Sequence, residues 1–356
     1  MKIQNLELDS DLHNFGRRTS LDHQGRVTKH RSVLAEYVFF GSGSSFRQHV
    51  NQLFSQISPG TLLPALEFNA DNDPTVSLSP RVMEQLVLTP LERPFNKSDY
   101  RQVGAYIALS AFVGLNDSHR HNVMLGLHNG VFTFVSVDCE TMLSEIPHAV
   151  SLGLFRHESD CPCKSKYCFH YGLSALKVAS EEHLDEMPAE IIWGHRAMRR
   201  ILLANAPALK ASFEKTVNRR PLMLRKIYHF TYAYFQALSA KDFSPFSSEE
   251  IVQLERGDIP YFFQIFGDDD VFYWRDEKTY AKHSRPAHAS LFKTRAEFEH
   301  NDILAAQIMI HIAASVDFWP GRIFQATSED IRVLYKKDSV VVMCGEQVLT
   351  HERMPL

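Results

Sequence analysis

The chain lacks several features that would place it in a common class. No apolar run reaches the length that spans a bilayer, and the opening MKIQNLELDSDLH has no signal-peptide core, so a soluble chain without a Sec-type export signal or membrane insertion is expected. Basic charge is not in excess. The 38 Lys and Arg stand against 42 Asp and Glu, a formal net charge of −4, which argues against a general nucleic-acid binder. Cysteine is scarce: 5 in 356 residues is an odd number, and a disulfide framework is not expected without an export signal. Internal repeats and low-complexity tracts are absent as well. What is present is ordinary for a folded globular protein, with 44% hydrophobic and 22% charged residues, except for 18 histidines, several beside acids.

Periodicity divides the chain at the turn-rich PLERPFNKS around 90–98, giving expected units of 1–92 and 93–356. In the first, RTSLDHQGRVTKHRSVLAEYVFF has hairpin character with turn residues Asp22 to Gly25, and SSFRQHVNQLFSQI carries a helical period behind capping serines. In the second, SDYRQVGAYIALSAFVGL predicts a buried helix ending near Gly114, and VMLGLHNGVFTFVSVD a β-hairpin turning at His128–Gly130. Beyond residue 185 the pattern is mostly helical, through AEIIWGHRAMRRILLANAPALKASFEKTV, PLMLRKIYHFTYAYFQAL and NDILAAQIMIHIAAS. RVLYKKDSVVVMCGEQVL predicts a terminal hairpin. The expected class is α+β, a small strand-rich unit followed by a large helical one.

Polar chemistry concentrates in NDSHRHNVM and FVSVDCETML, on either side of that first hairpin. Asp117, His119 and Asn122 have the spacing D-x-H-x-x-N, while Asp138 and Glu140 stand at i and i+2, on one side of an extended segment. Three acids and an amide supply oxygen ligands suited to Mg²⁺ bridging nucleotide phosphates. An Asp that orients the nucleophile, with an Asn and a second acid on the metal, is the layout of phosphoryl transfer. The D-x-H-x-x-N order is similar to that of lipid-kinase-like catalytic loops. A polar β-turn with a solvated acidic edge is the plain alternative.

DSHRHNVM followed by VDCETML resembles the DLHHEN…DLETLF pair in the dehydratase domain of class II lanthipeptide synthetases. Asp117, His119, Asn122, Asp138 and Glu140 match, whereas Ser118, Arg120, His121 and Cys139 depart. Further motifs follow in the family's order. SDLHNFGRRT is similar to GDxHxxGR through Asp11, His13, Gly16 and Arg17; VTKHRSV is similar to VYKPRSL through Lys29, Arg31 and Ser32, with His30 for Pro. DYRQVGAYIAL resembles the helix before the catalytic loop, and LRKIYHFTYAY the R-x-x-x-R-x-T-x-x-Y helix through Arg225, Thr231 and Tyr234, with His229 for the second Arg. LERGDIPYF (Gly257, Asp258, Ile259, Pro260) and NDILAAQIMIHIAAS complete a likeness over roughly 10–318.

The resemblance implies a bilobal kinase-like fold with a small N-lobe and a large helical C-lobe, in a compact stand-alone form without the family's N-terminal extension and zinc-dependent cyclase. It implies a kinase and lyase in one site: ATP and Mg²⁺ serve to phosphorylate a Ser or Thr of a protein or peptide, and phosphate is then eliminated to leave dehydroalanine or dehydrobutyrine. Lys29 and Arg31 would face the ATP phosphates, Asp117 with His119 the attacking hydroxyl, and Asn122, Asp138 and Glu140 the Mg²⁺. Asp11, His13, Arg225 and Thr231 would belong to elimination, with Arg225 and Thr231 on one side of one helix. The plain alternative makes Thr231 a core-helix residue bonded to backbone, His13 a surface histidine and Lys29 an ordinary surface lysine. The substrate is either a host protein, with the chain a bacterial effector delivered by a signal-independent route, or a precursor peptide modified in the cytoplasm. A kinase that stops at phosphorylation and a nucleotide-binding pseudoenzyme are the rival readings. Cys161, Cys163 and Cys168 with His157 or His170 form a separate cluster, compatible with structural Zn²⁺ or with reduced surface thiols.

Overall fold

The computed structural model describes residues 6–7, 11–69, 76–156, 171–180, 182–291, 293–295, 298, 301–315 and 325–352. The cysteine cluster, with His157 and His170, lies outside these residues. Among them the chain is α+β, with nine α-helices and four antiparallel sheets.

The first sheet has five short strands in the order Leu6–Glu7, Ser20–Leu21, Arg26–Lys29, Arg81–Glu84, Phe68–Asn69. Asp22 builds the expected turn: its carboxylate accepts the N–H groups of Gln24 and Arg26 and the Arg26 guanidinium. The hairpin does not extend through VLAEYVFF, however. Leu34–Phe40 is a helix, and its Val38, Phe39 and Phe40 are all buried. The apolar run is continuous, so it fits a fully buried helix as well as a strand. Ser44 caps the next helix, Ser45–Phe54, by accepting the Arg47 N–H, and Phe46, Val50, Leu53 and Phe54 form its buried face.

The central helix, Lys97–Val113, starts at a reciprocal capping box between Asn96 and Asp99 and stops at Gly114 in the left-handed region. It packs along Met187–Ala204, and two glycines permit the approach. A Cβ on Gly104 would lie 1.9 Å from the Ile191 carbonyl oxygen, and one on Gly194 would lie 2.1 Å from that of Arg101. The expected β-hairpin follows as Val123–His128 and Val131–Ser136, joined by Asn129 and Gly130, both with positive φ as a tight two-residue turn requires.

The second half is less helical than its periodicity suggests. Met223–Lys226 is a strand, and the helix starts only at Thr231 (Thr231–Ala240). The strand belongs to a four-stranded sheet in the order Tyr280–Lys282, Val271–Trp274, Phe262–Ile265, Met223–Lys226. Arg225 and Thr231 therefore do not share a helix. Four-residue strands such as FFQI and VFYW are too short for periodicity to separate from helix. The terminal segment is a four-stranded meander, Gln325–Ser328, Ile331–Tyr335, Ser339–Cys344 and Gln347–Glu352, of which the expected hairpin is the middle. One apolar core runs from Leu34 and Phe54 through Tyr106 and Ile192 to Ile312 and Val342, across the expected boundary at 92. No helix among the described residues is long and apolar enough to cross a membrane.

Replacing Gly104 by alanine forces a methyl group into backbone, which nothing but separation of the two helices can relieve. Gly104→Ala is expected to lower unfolding free energy by about 3 kcal/mol or more, read from the midpoint and slope of a urea titration.

Candidate active site

The loop 116–122 is held from beneath. The Ser118 N–H donates to the Leu152 carbonyl at 2.9 Å, and a Cβ on Gly153 would stand 2.8 Å from that nitrogen. A Cβ on Gly172 would meet the Ser118 carbonyl at 2.4 Å. Ser118 is fully buried and so is Cys139, which makes these two departures from the family motif packing positions; His121 is exposed and Arg120 half-buried.

Asp117 has φ +63°, a left-handed conformation that Asp tolerates better than most residues and that costs about 1 kcal/mol or more. The loop is stapled across this residue. Asn122 Nδ2 donates to the Asp117 carbonyl at 2.9 Å, which leaves Oδ1 of Asn122 outside that bond. The Val137 N–H meets the Asn122 carbonyl at 2.9 Å, so the hairpin itself carries Asn122 to the start of VDCE. His119 Nδ1 accepts the His121 N–H at 3.2 Å; its Nε2 therefore bears the proton and lies 3.7 Å from Asp117 Oδ1.

Beside the loop, ionised groups alternate in sign. Lys29 Nζ lies 2.8 Å from Glu36 Oε1 and 3.5 Å from Asp138 Oδ1. Arg31 contacts the same two acids at 2.7 Å each and Glu140 Oε2, through Nε, at 2.8 Å. Arg225 Nη1 lies 2.8 Å from Glu140 Oε1, and its backbone N–H reaches the Glu140 carbonyl at 2.9 Å. The Tyr261 hydroxyl donates to Glu140 Oε2 at 2.8 Å. Burial opposes the charges of Lys29, Arg31, Glu36, Asp138 and Arg225, yet their partners prevail. Asp138 and Glu36 are held below the usual carboxylate range by Lys29 and Arg31, while Lys29 and Arg225 are held above their ordinary values by the acids.

Two groups escape this pairing. Burial pushes the Asp117 carboxyl up to about 7 against the pull of Arg225, with Asp138, Glu140 and Asp11 adding to the rise. Solvent still reaches the side chain, which is 34% exposed. His13 moves the other way: burial, with Arg225 and Arg31 nearby, lowers it to about 3. Its Nδ1 lies 2.7 Å from the Ile259 carbonyl and so carries the proton, leaving Nε2 with a free lone pair.

His13 is fixed by a clasp between two distant motifs. Asn14, Phe15 and Gly16 all have positive φ, and the turn aims the N–H groups of Phe15 and Gly16 at the buried Asp258 carboxylate, at 2.9 and 2.7 Å. The Ile259 N–H returns to the Leu12 carbonyl at 2.7 Å. The GDxHxxGR-like and GDIPY segments are thus one structural unit.

The structure brings together Lys29, Arg31, Asp138, Glu140 and Arg225 by direct contact. Asp117, His119 and Asn122 form the adjoining loop, with His13 and Asp11 in electrostatic reach. Thr231 stands apart: it opens a helix, and among the described residues no hydrogen bond joins its side chain to this group. Glu140, expected to support a metal, has both oxygens engaged by Arg31, Arg225 and Tyr261. Sequence reasoning missed Glu36 and Tyr261. The signal for Glu36 was a single acid in the apolar LAEYVFF, and its side chain is 0% exposed. Tyr261 sat unassigned inside a quoted motif.

Among the described residues no group of three His, Cys, Asp or Glu side chains is arranged to hold a metal unaided. Mg²⁺ does not require one, since it commonly takes one or two carboxylates and completes its shell with water and phosphate oxygens. Lys29 and Arg31 both use Oδ1 of Asp138, so Oδ2 of Asp138 and Oδ1 of Asn122 suit such a cation. No protein-family model matches the chain, and no curated protein matches it.

Between the ordinary carboxylate value and about 7, folded Asp117 keeps a proton that the unfolded chain has released. This group therefore lowers stability as pH rises through that window. Asp117→Asn removes the effect, so its gain in melting temperature over wild type is expected to be larger at pH 8 than at pH 5. A gain that is equal at both values, or larger at pH 5, contradicts the raised carboxyl.

Proposed function

We propose that the chain is an ATP-dependent kinase and lyase that phosphorylates Ser or Thr side chains of a protein or peptide and eliminates the phosphate to leave dehydroalanine or dehydrobutyrine. The proposal includes a kinase-like arrangement of the first sheet against the rest of the chain. The observation that carries it is the meeting of Lys29, Glu36 and Asp138 beside an Asp117 whose carboxyl is poised near neutrality. A lysine fixed by a buried glutamate next to a metal-competent aspartate is what phosphoryl transfer needs. The ordered motifs quoted above support the same reading.

ATP bound with Mg²⁺ would supply the phosphoryl group and a counter-charge for it. Lys29, immobilised by Glu36, offers an ammonium to the phosphates, and Asp138 with Asn122 would hold the cation. Asp117 accepts the hydroxyl proton as the substrate oxygen bonds to the terminal phosphorus and the bond to the departing diphosphate breaks. In the second stage His13 Nε2, whose basicity the neighbouring phosphate dianion would raise from its low resting value, takes the Cα proton. That C–H electron pair forms the Cα=Cβ bond, and the Cβ–O bond breaks with its pair leaving on phosphate. Arg225 meets the developing phosphate charge with Nε and Nη2, which Glu140 does not occupy. Phosphate leaves far more readily than hydroxide, which is the reason to phosphorylate first.

The position of Thr231 on an element separate from Arg225 favours a second reading, a kinase that stops at the phosphorylated product.

Intact-mass analysis separates the two. Dehydration lowers substrate mass by about 18 Da per site and phosphorylation raises it by about 80 Da. With a cell lysate, ATP and Mg²⁺, wild type is expected to give the lighter species and Arg225→Ala the heavier one. Lighter species from Arg225→Ala at the wild-type rate would remove Arg225 from elimination; wild type giving only the heavier species would establish the second reading. Phosphorylation requires ionised Asp117, so its rate is expected to rise about tenfold per pH unit below 7 and to level off above it. A flat profile between pH 5 and 8 would contradict a proton-accepting carboxyl held near 7 in the reacting site.

A further inference from the structure

Tyr261 lies in a motif to which the proposed chemistry gives no task, yet its side chain meets two groups of the elimination stage and the acid that anchors one of them. The hydroxyl donates to Glu140 Oε2 at 2.8 Å, the Arg225 guanidinium lies over the ring at 5.4 Å, and the His13 imidazole meets it edge-on at 5.7 Å. The residue is 3% exposed, and Gln253 fixes its backbone by accepting the Tyr261 N–H at 2.9 Å.

We infer that Tyr261 is a positioning residue for elimination, which sets Arg225 through Glu140 and shapes the wall on which His13 rests. This rests on the kinase–lyase reading and deepens it. The argument is one of bond count. Arg225 is anchored to Glu140 through one guanidinium nitrogen and the backbone N–H, so its aim depends on where the Glu140 carboxylate stands. Oε1 of that carboxylate faces Arg225, while Oε2 is shared by Arg31 and Tyr261. Without the hydroxyl, Oε2 keeps only Arg31, and the carboxylate, still bound to Arg225 through Oε1, turns toward Arg31 and carries Arg225 with it. The Lys29 contacts to Glu36 and Asp138 involve neither Tyr261 nor Glu140, and Arg31 keeps its own bonds to both of those acids. Loss of the hydroxyl should therefore reach the second stage and spare the first.

Tyr261→Phe tests this because the ring that packs on His13 and Arg225 remains. Wild type and variant are incubated with a cell lysate, ATP and Mg²⁺, and phosphorylated and dehydrated proteins are counted by mass alongside ATP consumed. The expected result is ATP consumption within about twofold of wild type, with dehydration slower by about tenfold and phosphorylated protein accumulating, the effect of one lost hydrogen bond to a charged group. Dehydration at the wild-type rate with no phosphorylated protein overturns the inference and leaves the kinase–lyase reading intact. A parallel fall in ATP consumption and dehydration makes Tyr261 merely structural and also overturns it. If wild type dehydrates nothing, both this inference and the reading beneath it fail. Tyr261→Leu, which removes the ring too, is expected to shift the ratio further in the same direction; a ratio nearer wild type than that of Tyr261→Phe counts against the inference.

Discussion

Six ionised side chains share a partly buried space, and the site exists because their signs balance. Lys29, Arg31 and Arg225 face Glu36, Asp138 and Glu140, and each has an opposite charge within 2.8 Å. A charge taken out of water without a partner costs several kcal/mol, so none of the six is tolerable alone. The partners come from the first sheet, the helix behind it, the end of the 123–136 hairpin and the strand 223–226. Pairing is complete only when all four stand in place, so that forming the site and closing the fold are one event. Arg31 is central to it. It alone contacts all three acids, and its planar fork reaches three directions where a lysine ammonium would serve one point.

The same field explains which groups are left reactive. Burial pushes the Asp117 carboxyl up, with Arg225 opposing and three other acids adding to the rise; burial also lowers His13, with Arg225 and Arg31 adding to it, so its imidazole stays uncharged. Titratable groups pushed apart by one environment are what the proposed two-stage reaction would need of two proton acceptors in one site. Asp117 keeps a third of its side chain in solvent, and its backbone is in the left-handed region. His13 is locked by the clasp to Asp258 and Ile259.

Sequence alone exposed the local grammar well. Asn96 with Asp99 and then Gly114 bracket the central helix, Asn129–Gly130 marks the hairpin, and Ser44 opens the 45–54 helix, because caps and tight turns place their demands on neighbouring residues. Patterns that depend on distant contacts stayed hidden. PLMLRKIYHF has an apolar residue every few positions and looks helical, but the ladder to Phe262–Ile265 makes residues 223–226 a strand. Glu36 shows no local sign of its partners Lys29 and Arg31, and the Asp258 carboxylate joins a turn more than two hundred residues upstream. Of the site residues, those in a compact motif were legible as a group; that Glu140 serves cations rather than an open ligand position became visible only in three dimensions.

Sharing one carboxylate between two arginines has a mechanical consequence. Glu140 ties Arg31, on the side of Lys29 and Asp138, to Arg225, on the side of His13. Neither arginine can shift without moving the acid that holds the other. Two separate pockets would have to pass a phosphorylated side chain between them, with a desolvation cost at each transfer. Under the proposed reading, a shared frame would let the side chain stay while the groups around it change roles. Arg225 is already turned toward the cluster while two of its donor nitrogens remain outside the Glu140 contact, so it can receive phosphate without giving up its anchor. The shared anchor is the geometric feature on which the proposal of two consecutive stages at one place rests.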